Sequence, residues 1–407
     1  MVALIRILVI NGLVLAGLLA LFDVAAFHFV PRHFVANLEN YRRQPPPTVY
    51  GRGVYPHEYF TENDERGFDI GKNRKGFHWV DGVLYQIWSN SIGCFDREHN
   101  SYDGYIYFAG DSYTWGYAPY EQKFGTIIEQ ATGATILKCG VTHTGQRHQY
   151  SKFIELVRDI GHLPQAVFIF YTNNDVANDF AHPHSTVIQG WQVDTLYLDG
   201  NYKKVRRTQK ELEVKTAEHI KRVDQQNRKT HTLWSEFKNA LKYYSLSLNI
   251  IYYIENNIVQ RLYAYFRGNE AHDSNKSDSV HRSAENNLYS LPQEKNGKYW
   301  FADNQNAQNN KEAMLNFRDF SNENGIALTF VLIPPKEKYV DFGYFQEVRA
   351  FLENNGIGYL DLTSRFKQAG VVEEDLYWDN DAHLNPSGNE VVAEILISEF
   401  PHIFGAR

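Results

Sequence analysis

The sequence predicts an α/β protein: a doubly wound, mostly parallel sheet of about five strands, with helices on both faces, a helical insertion and an N-terminal transmembrane helix. Three observations predict it. Short apolar runs recur at residues 105–109, 135–139, 166–171, 326–333 and 359–362, each too short for a stable helix. The first four stop at Gly110, Gly140, a Thr-Asn-Asn-Asp turn and Pro334-Pro335, the usual punctuation at strand ends. Helix-favouring stretches lie between them, and strands apolar on both sides need helices above and below.

The first thirty residues are the most hydrophobic. Residues 7–22 carry no charge, Arg6 precedes them, and Asp23 interrupts an apolar run that resumes to Val30. With residues 2–5 and 24–30 the stretch is long enough to span a bilayer at a slight tilt. Arg6 can reach the headgroups and keep the N-terminus cytoplasmic. The competing reading is a cleaved signal peptide with Ala25-Ala26 near the cut. Either way the remaining chain is expected outside the cytoplasm. The expected organisation is an anchor at 1–34, a stalk at 35–56 stiffened by Pro45-Pro46-Pro47, and one domain at 57–407 with an insertion at about 181–315.

Residues 57–100 are rich in glycine and aromatics and read as short strands and turns packed on the main domain. The α/β rhythm then begins: strand 105–109, helix around 122–130, strand 135–139, helix around 149–159, strand 166–171. After the insertion come strands 326–333 and 359–362. The last helix has a clear start, with Asn385 as cap, Pro386 in the first turn, and Val391, Val392, Ile395, Leu396 and Phe400 as its apolar face. The predicted architecture is a flavodoxin-like doubly wound sheet. A hydrophobic content of 43% excludes default disorder, and a net charge of −7 without a long basic block excludes nucleic-acid binding. Cys94 and Cys139 make no zinc site; they either pair in an oxidising compartment or stay as free buried thiols.

Open α/β sheets place their chemistry beyond the carboxyl ends of the strands. Ser112 follows the first strand, Gly140 the second, Asn174 the third, and Asp379-Asn-Asp-Ala-His383 precedes the final helix. Acyl transfer needs a nucleophile, a base and donors for a developing oxyanion. Ser112 supplies the hydroxyl; the N–H groups of Ser112 and Gly140 and the amide of Asn174 form the expected oxyanion hole. Glycine at 140 would let the backbone approach the substrate. His383 would take the serine proton, and a nearby aspartate would orient it.

These residues, in this order, resemble the SGNH (GDSL-type) hydrolase family. Gly110-Asp111-Ser112-Tyr-Thr-Trp-Gly116 matches the nucleophile block, Gly140-Val141 the glycine block, Asn174-Asp175 the asparagine block and Asp381-Ala-His383-Leu-Asn-Pro the histidine block. The stretch 89–93 also looks like membrane-anchored members linked to cell-surface polysaccharides. Two departures stand out. The family's aspartate lies three residues before the histidine, where this chain has Asn380; Asp381 is the first choice for that role and Asp379 the second. Thr172 stands where the asparagine block usually has glycine.

The resemblance implies a membrane-anchored, exported serine esterase acting on O-acetyl or other small acyl esters of surface carbohydrate, with no cofactor and no metal. An O-acyltransferase on the same polymers is the alternative among enzymes, with a lipase or thioesterase behind it. A non-catalytic polysaccharide-binding or assembly protein is the alternative from another class. His182 and His184 lack a third metal ligand nearby and read as a loop pair. His143, Arg147 and His148 either line the cleft or belong to a helix start. Trp115 and Tyr117 either stack on substrate or pack in the core. In the insertion, residues 203–229 read as a solvated helix and 233–266 as an aromatic helical stretch, packed on the sheet or serving as a lid. Residues 268–310 read as a mobile loop.

Overall fold

A computed structural model describes residues 2–29, 58–206 apart from 82, 184, 189, 194–195 and 199–203, isolated positions from 208 to 221, residue 247, and 305–405 apart from 337–342 and 380. The stalk and the 233–266 pattern, except Ser247, lie outside the described residues. The chain forms two units, Met1–Arg52 with Ile220–Val280, and Gly53–His219 with His281–Arg407.

In the first unit, helix α1 (Val2–Phe29) is continuous, and Ile10, Val14, Leu15, Leu18, Leu21, Phe22 and Val24 expose their side chains. Asp23, the acid that interrupts the apolar run, accepts hydrogen bonds from the Ser247 N–H at 2.7 Å and hydroxyl at 2.9 Å. Among the described residues no helix is long and apolar enough to cross a membrane.

The second unit opens with two small antiparallel pairs, β1 (Phe60–Asn63) with β2 (Gly67–Ile70) and β3 (Lys75–Val80) with β4 (Val83–Trp88). The sheet proper starts at β5 (Ile106–Gly110), which leads into the short helix α2 (Ser112–Trp115) and then α3 (Phe124–Thr132). There follow β6 (Ile136–Lys138), α4 (Gln146–Ile160), β7 (Ala166–Tyr171) and α5 (Asp175–Ala181). Two further hairpins come next, β8 (Thr186–Ile188) with β9 (Trp191–Val193), and β10 (Leu196–Leu198) with β11 (Lys204–Arg206). The chain then runs through α6 (Gln305–Asn324), β12 (Ala327–Leu332), α7 (Tyr344–Asn354), β13 (Gly358–Asp361), α8 (Leu362–Ala369), α9 (Glu373–Leu376), α10 (Pro386–Glu399) and α11 (Pro401–Phe404).

The five-stranded sheet has the order β13-β12-β7-β5-β6, with every pairing parallel. Numbered along the chain that is 2-1-3-4-5, the flavodoxin-like order, whose switch point lies between the first and third strands. Each expected strand is present, with boundaries shifted by at most two residues. Alternation explains the unbroken apolar runs. Tyr107, Ala109, Val167, Ile169, Tyr171, Phe330 and Leu332 pack with α4, α6 and α7. Ile106, Phe108, Phe168, Phe170, Val331 and Leu360 face the other way, against α3, α8 and α10. With both faces covered, no strand position tolerates a polar side chain cheaply.

Two expectations in the insertion change. Residues 204–206 pair as β11 rather than joining a helix, because Val205 sits opposite Tyr197. Residues 305–310, expected in a loop, are the first turns of α6; Ala307 and Asn310 are fully buried, which fixes them. At the far end, Asn385 caps α10 by accepting from the Gly388 N–H at 2.8 Å, with Pro386 at the first position, as expected.

The strands β1 to β4 are held by an aromatic cluster of Tyr59, Phe60, Phe68, Tyr85, Phe95, Trp115, Tyr117 and Tyr120. Cys94 and Cys139 are joined as a disulfide, Cα–Cα 4.7 Å, which resolves the two readings left open by the sequence. Beside it the buried Asp96 accepts from the Lys138 N–H at 3.0 Å and the Tyr120 hydroxyl at 2.8 Å. These links bring the 58–100 region onto the edge strand β6.

Candidate active site

The end of β5 is built for a sharp turn. Gly110 has φ 157°, and a Cβ there would meet Thr114 Oγ1 at 2.1 Å and the Phe170 carbonyl at 2.9 Å. Asp111 then caps α2 by accepting from the Tyr113 N–H at 3.0 Å, which leaves Ser112 at the first helical position. Ser112 is 4% exposed. Its Oγ lies 2.7 Å from His383 Nε2, and His383 Nδ1 lies 2.5 Å from Asp381 Oδ1. A carboxylate at Nδ1 keeps the proton on that nitrogen, so Nε2 is the acceptor facing the serine hydroxyl.

The Asp-x-His spacing has a local cause. Asp381 Oδ1 also accepts the His383 backbone N–H at 2.9 Å, an Asx turn that aims the carboxylate at its own histidine ring. Burial by itself would raise the pKa of Asp381; the charge of His383 and these two hydrogen bonds outweigh it and bring the pKa down to about 2. Asp379, the second candidate, is exposed and meets Lys336 Nζ through its backbone carbonyl at 2.7 Å. Lys336 also donates to the Trp378 carbonyl at 2.5 Å, and Trp378 Nε1 donates to the Tyr117 carbonyl at 2.8 Å. The loop that carries His383 is thus fixed at several points.

Gly140 and Asn174 leave the two strands that flank β5, so the three elements meet at the switch point. The Val141 N–H donates to the Gly110 carbonyl at 3.0 Å and pins the Gly140 turn to the turn that carries Ser112. Glycine at 140 also has a reason within the fold. A Cβ there would lie 2.3 Å from Trp115 N and 2.5 Å from the Thr114 carbonyl carbon, so the missing side chain lets α2 come close.

Asn174 is not a free amide. Its Oδ1 is held by the Thr172 hydroxyl, and its amide hydrogen-bonds the Asp111 carboxylate. One N–H of that amide stays over for another acceptor. Thr172, at the position where glycine is usual, therefore acts through its side chain: Oγ1 also lies 3.0 Å from Asp111 Oδ2. Behind it Asp175 accepts from the Thr172 N–H at 2.6 Å and from Gln149 Nε2 at 3.1 Å. Burial, reinforced by the neighbouring Asp111, pushes the Asp175 carboxyl well above the usual range. Burial also raises Asp111, against the opposing hydrogen bond from Tyr113 and the charge of His383.

The other candidates divide. His148 is buried, its Nε2 2.7 Å from the Phe68 carbonyl, and burial lowers its pKa to about 4. Arg147 donates to the carbonyls of Asp179 at 3.5 Å and His182 at 3.3 Å. Both are structural. His143 is exposed with φ 59°, in the left-handed region. Trp115 is buried in the core, and Tyr117 lies flat on His383, a placement that sequence alone did not suggest. His78, also unforeseen, sits 4.6 Å from the Tyr117 ring. No group of three side chains able to hold a metal ion occurs among the described residues.

No family model matches the chain, and no curated protein matches it. Among solved structures, it is similar to a lipolytic protein of the G-D-S-L family from Desulfitobacterium hafniense DCB-2, at 13% identity and a TM-score of 0.31 over 72% of this chain and 99% of that one. It is also similar to an acetyl xylan esterase from the rumen bacterium Butyrivibrio proteoclasticus, at 11% identity and a TM-score of 0.34 over 76% of this chain and 66% of that one.

Proposed function

We propose that this protein is a serine esterase of the SGNH type that removes small acyl groups, O-acetyl foremost, from surface carbohydrate. The reading is carried by one observation: Ser112 Oγ, both nitrogens of His383 and Asp381 Oδ1 form a continuous line with separations of 2.7 and 2.5 Å. Ser112 Oγ attacks the ester carbonyl carbon while its proton passes to His383 Nε2. The carbonyl oxygen becomes an oxyanion, held by the Ser112 and Gly140 N–H groups and the second N–H of Asn174, each donor worth roughly 10²–10³ in rate. His383 returns the proton to the departing sugar oxygen as the C–O bond breaks, leaving an acyl-serine. Water, deprotonated by the same nitrogen, then releases the acid.

The chain is held at a membrane by α1, with the site on the exported side. Supporting this are the exposed apolar side chains of α1 and the Cys94–Cys139 disulfide, which suits an oxidising compartment. Resistance of the full chain to carbonate extraction from membranes checks it; release into the supernatant sinks the anchor.

The test of the chemistry uses the full chain in detergent with a fluorophosphonate probe, beside Ser112→Ala and His383→Ala. Stoichiometric labelling lost in both variants, with release of acetate from acetylated xylan, supports the esterase. Labelling with turnover only in the presence of a sugar acceptor moves the assignment to an O-acyltransferase. A folded parent that does not label is a binding or assembly protein.

A further inference from the structure

The histidine ring is clamped by two tyrosines that flank the nucleophile. Tyr117 lies parallel to His383, ring centroids 3.6 Å apart and planes 8° apart. Tyr113 is tilted against the same ring at 4.8 Å, and its hydroxyl donates to the Ala382 carbonyl at 2.7 Å. The His78 ring packs on Tyr117 at 4.6 Å and 76°, and the Trp115 ring at 5.6 Å and 74°. His78 Nδ1 is in turn 2.7 Å from the Tyr85 hydroxyl across the β3–β4 hairpin. The hairpin, which contributes no strand to the main sheet, reaches the histidine through Tyr117.

The stack itself is informative. A centroid separation of 3.6 Å at 8° is close to the contact distance of two stacked rings, so they overlap with little offset. Two neutral rings prefer an offset or edge-on arrangement, since their faces carry like charge. A cation over a tyrosine face is attracted instead. The overlap therefore favours the imidazolium, the form His383 takes once it has accepted the proton of Ser112.

We propose that Tyr117 is a positioning residue for His383: backed by His78, it fixes the imidazole plane on the Ser112–Asp381 line and favours the ring in its charged state during acyl transfer. The inference rests on the esterase reading. A cation–π contact of this kind corresponds to roughly 3- to 30-fold in rate.

The experiment compares the full chain, Tyr117→Leu and Tyr117→Phe for kcat and KM on p-nitrophenyl acetate and for the ring-proton resonances of His383. Tyr117→Leu is expected to lose about tenfold in kcat at unchanged KM, while its His383 resonances move downfield as the ring current disappears. Tyr117→Phe is expected to restore the parent resonances and most of the rate, because the aromatic face is kept. A Leu variant with parent kcat, or a Phe variant as slow as the Leu variant, overturns the proposal. If the parent neither labels nor turns over, the esterase reading fails. The resonances then decide the clamp separately: unchanged His383 shifts in Tyr117→Leu overturn it.

Discussion

Replacing Gly140 by alanine tests whether the glycine is needed for the close approach of α2. The new methyl would stand 2.3 Å from Trp115 N, where ordinary contact begins near 3.4 Å. Its nearest neighbours are backbone atoms, so no side chain can swing aside, and α2 must move by about 1 Å. A displacement of that size at a reacting group costs on the order of 10²-fold in rate. Ser112 lies only two residues before Thr114 and must keep 2.7 Å to His383 Nε2. Overpacking of this kind also destabilises by about 1–3 kcal/mol, or roughly 2–10 °C in Tm for a domain of this size. The assay is the fluorophosphonate labelling rate and thermal melting of Gly140→Ala beside Gly358→Ala, whose Cβ would meet only the Leu328 carbonyl at 3.3 Å. Parent rate and parent melting in Gly140→Ala would refute the reasoning. A loss in labelling with Gly358→Ala near the parent is the expected result.

Two further outcomes follow from the carboxylates. Asp381→Asn removes the acceptor that fixes the proton on His383 Nδ1, and kcat is expected to fall by about 10³–10⁴, the scale of the same change in a serine-protease triad. Asp379→Asn should stay within a few-fold. A reversed order would move the role to Asp379. Asp179 is completely buried, and burial raises its pKa to about 7 against the hydrogen bonds from Arg147 and Asn310. With a raised folded value the folded state holds the proton longer, so the parent should lose stability relative to Asp179→Asn as pH rises from about 4 to 7, by at most roughly 4 kcal/mol. Denaturant unfolding of both proteins across that range reads it; a constant difference would show that Asp179 is ionised throughout.

The sheet was legible because its strands are buried on both faces, and burial on both faces writes an unbroken apolar run into the sequence. The strand order was legible only through the placement of Ser112, Gly140 and Asn174, which makes sense if their strands are neighbours. Asp381 could be preferred over Asp379, yet the Asx turn that gives it the advantage is a backbone property that no spacing rule displays. Thr172 looked like a mere departure from glycine, because a hydroxyl bridging two side chains depends on where Asp111 ends up. Tyr117 and His78 were illegible as partners of His383 for a similar reason. Stacking depends on ring orientation, and aromatic residues are too common here, at 15% of the chain, for any one to stand out. Cys94 and Cys139 are 45 residues apart in sequence, and only the docking of the 58–100 region onto β6 makes them meet.

The serine and its histidine are separated by 271 positions along the chain. Local folding around β5 can finish as soon as the first three strands pair, but His383 arrives only with the segment that follows β13 and leads into α10. Contacts between such distant parts form late, since closing a long loop is entropically costly until the core repays it. Until residues 377–399 have docked, Ser112 therefore lacks the imidazole that lies 2.7 Å from its hydroxyl in the folded protein. Truncation within α10 would leave that imidazole unplaced, because the turn bearing Asp381 and His383 runs directly into the helix capped at Asn385.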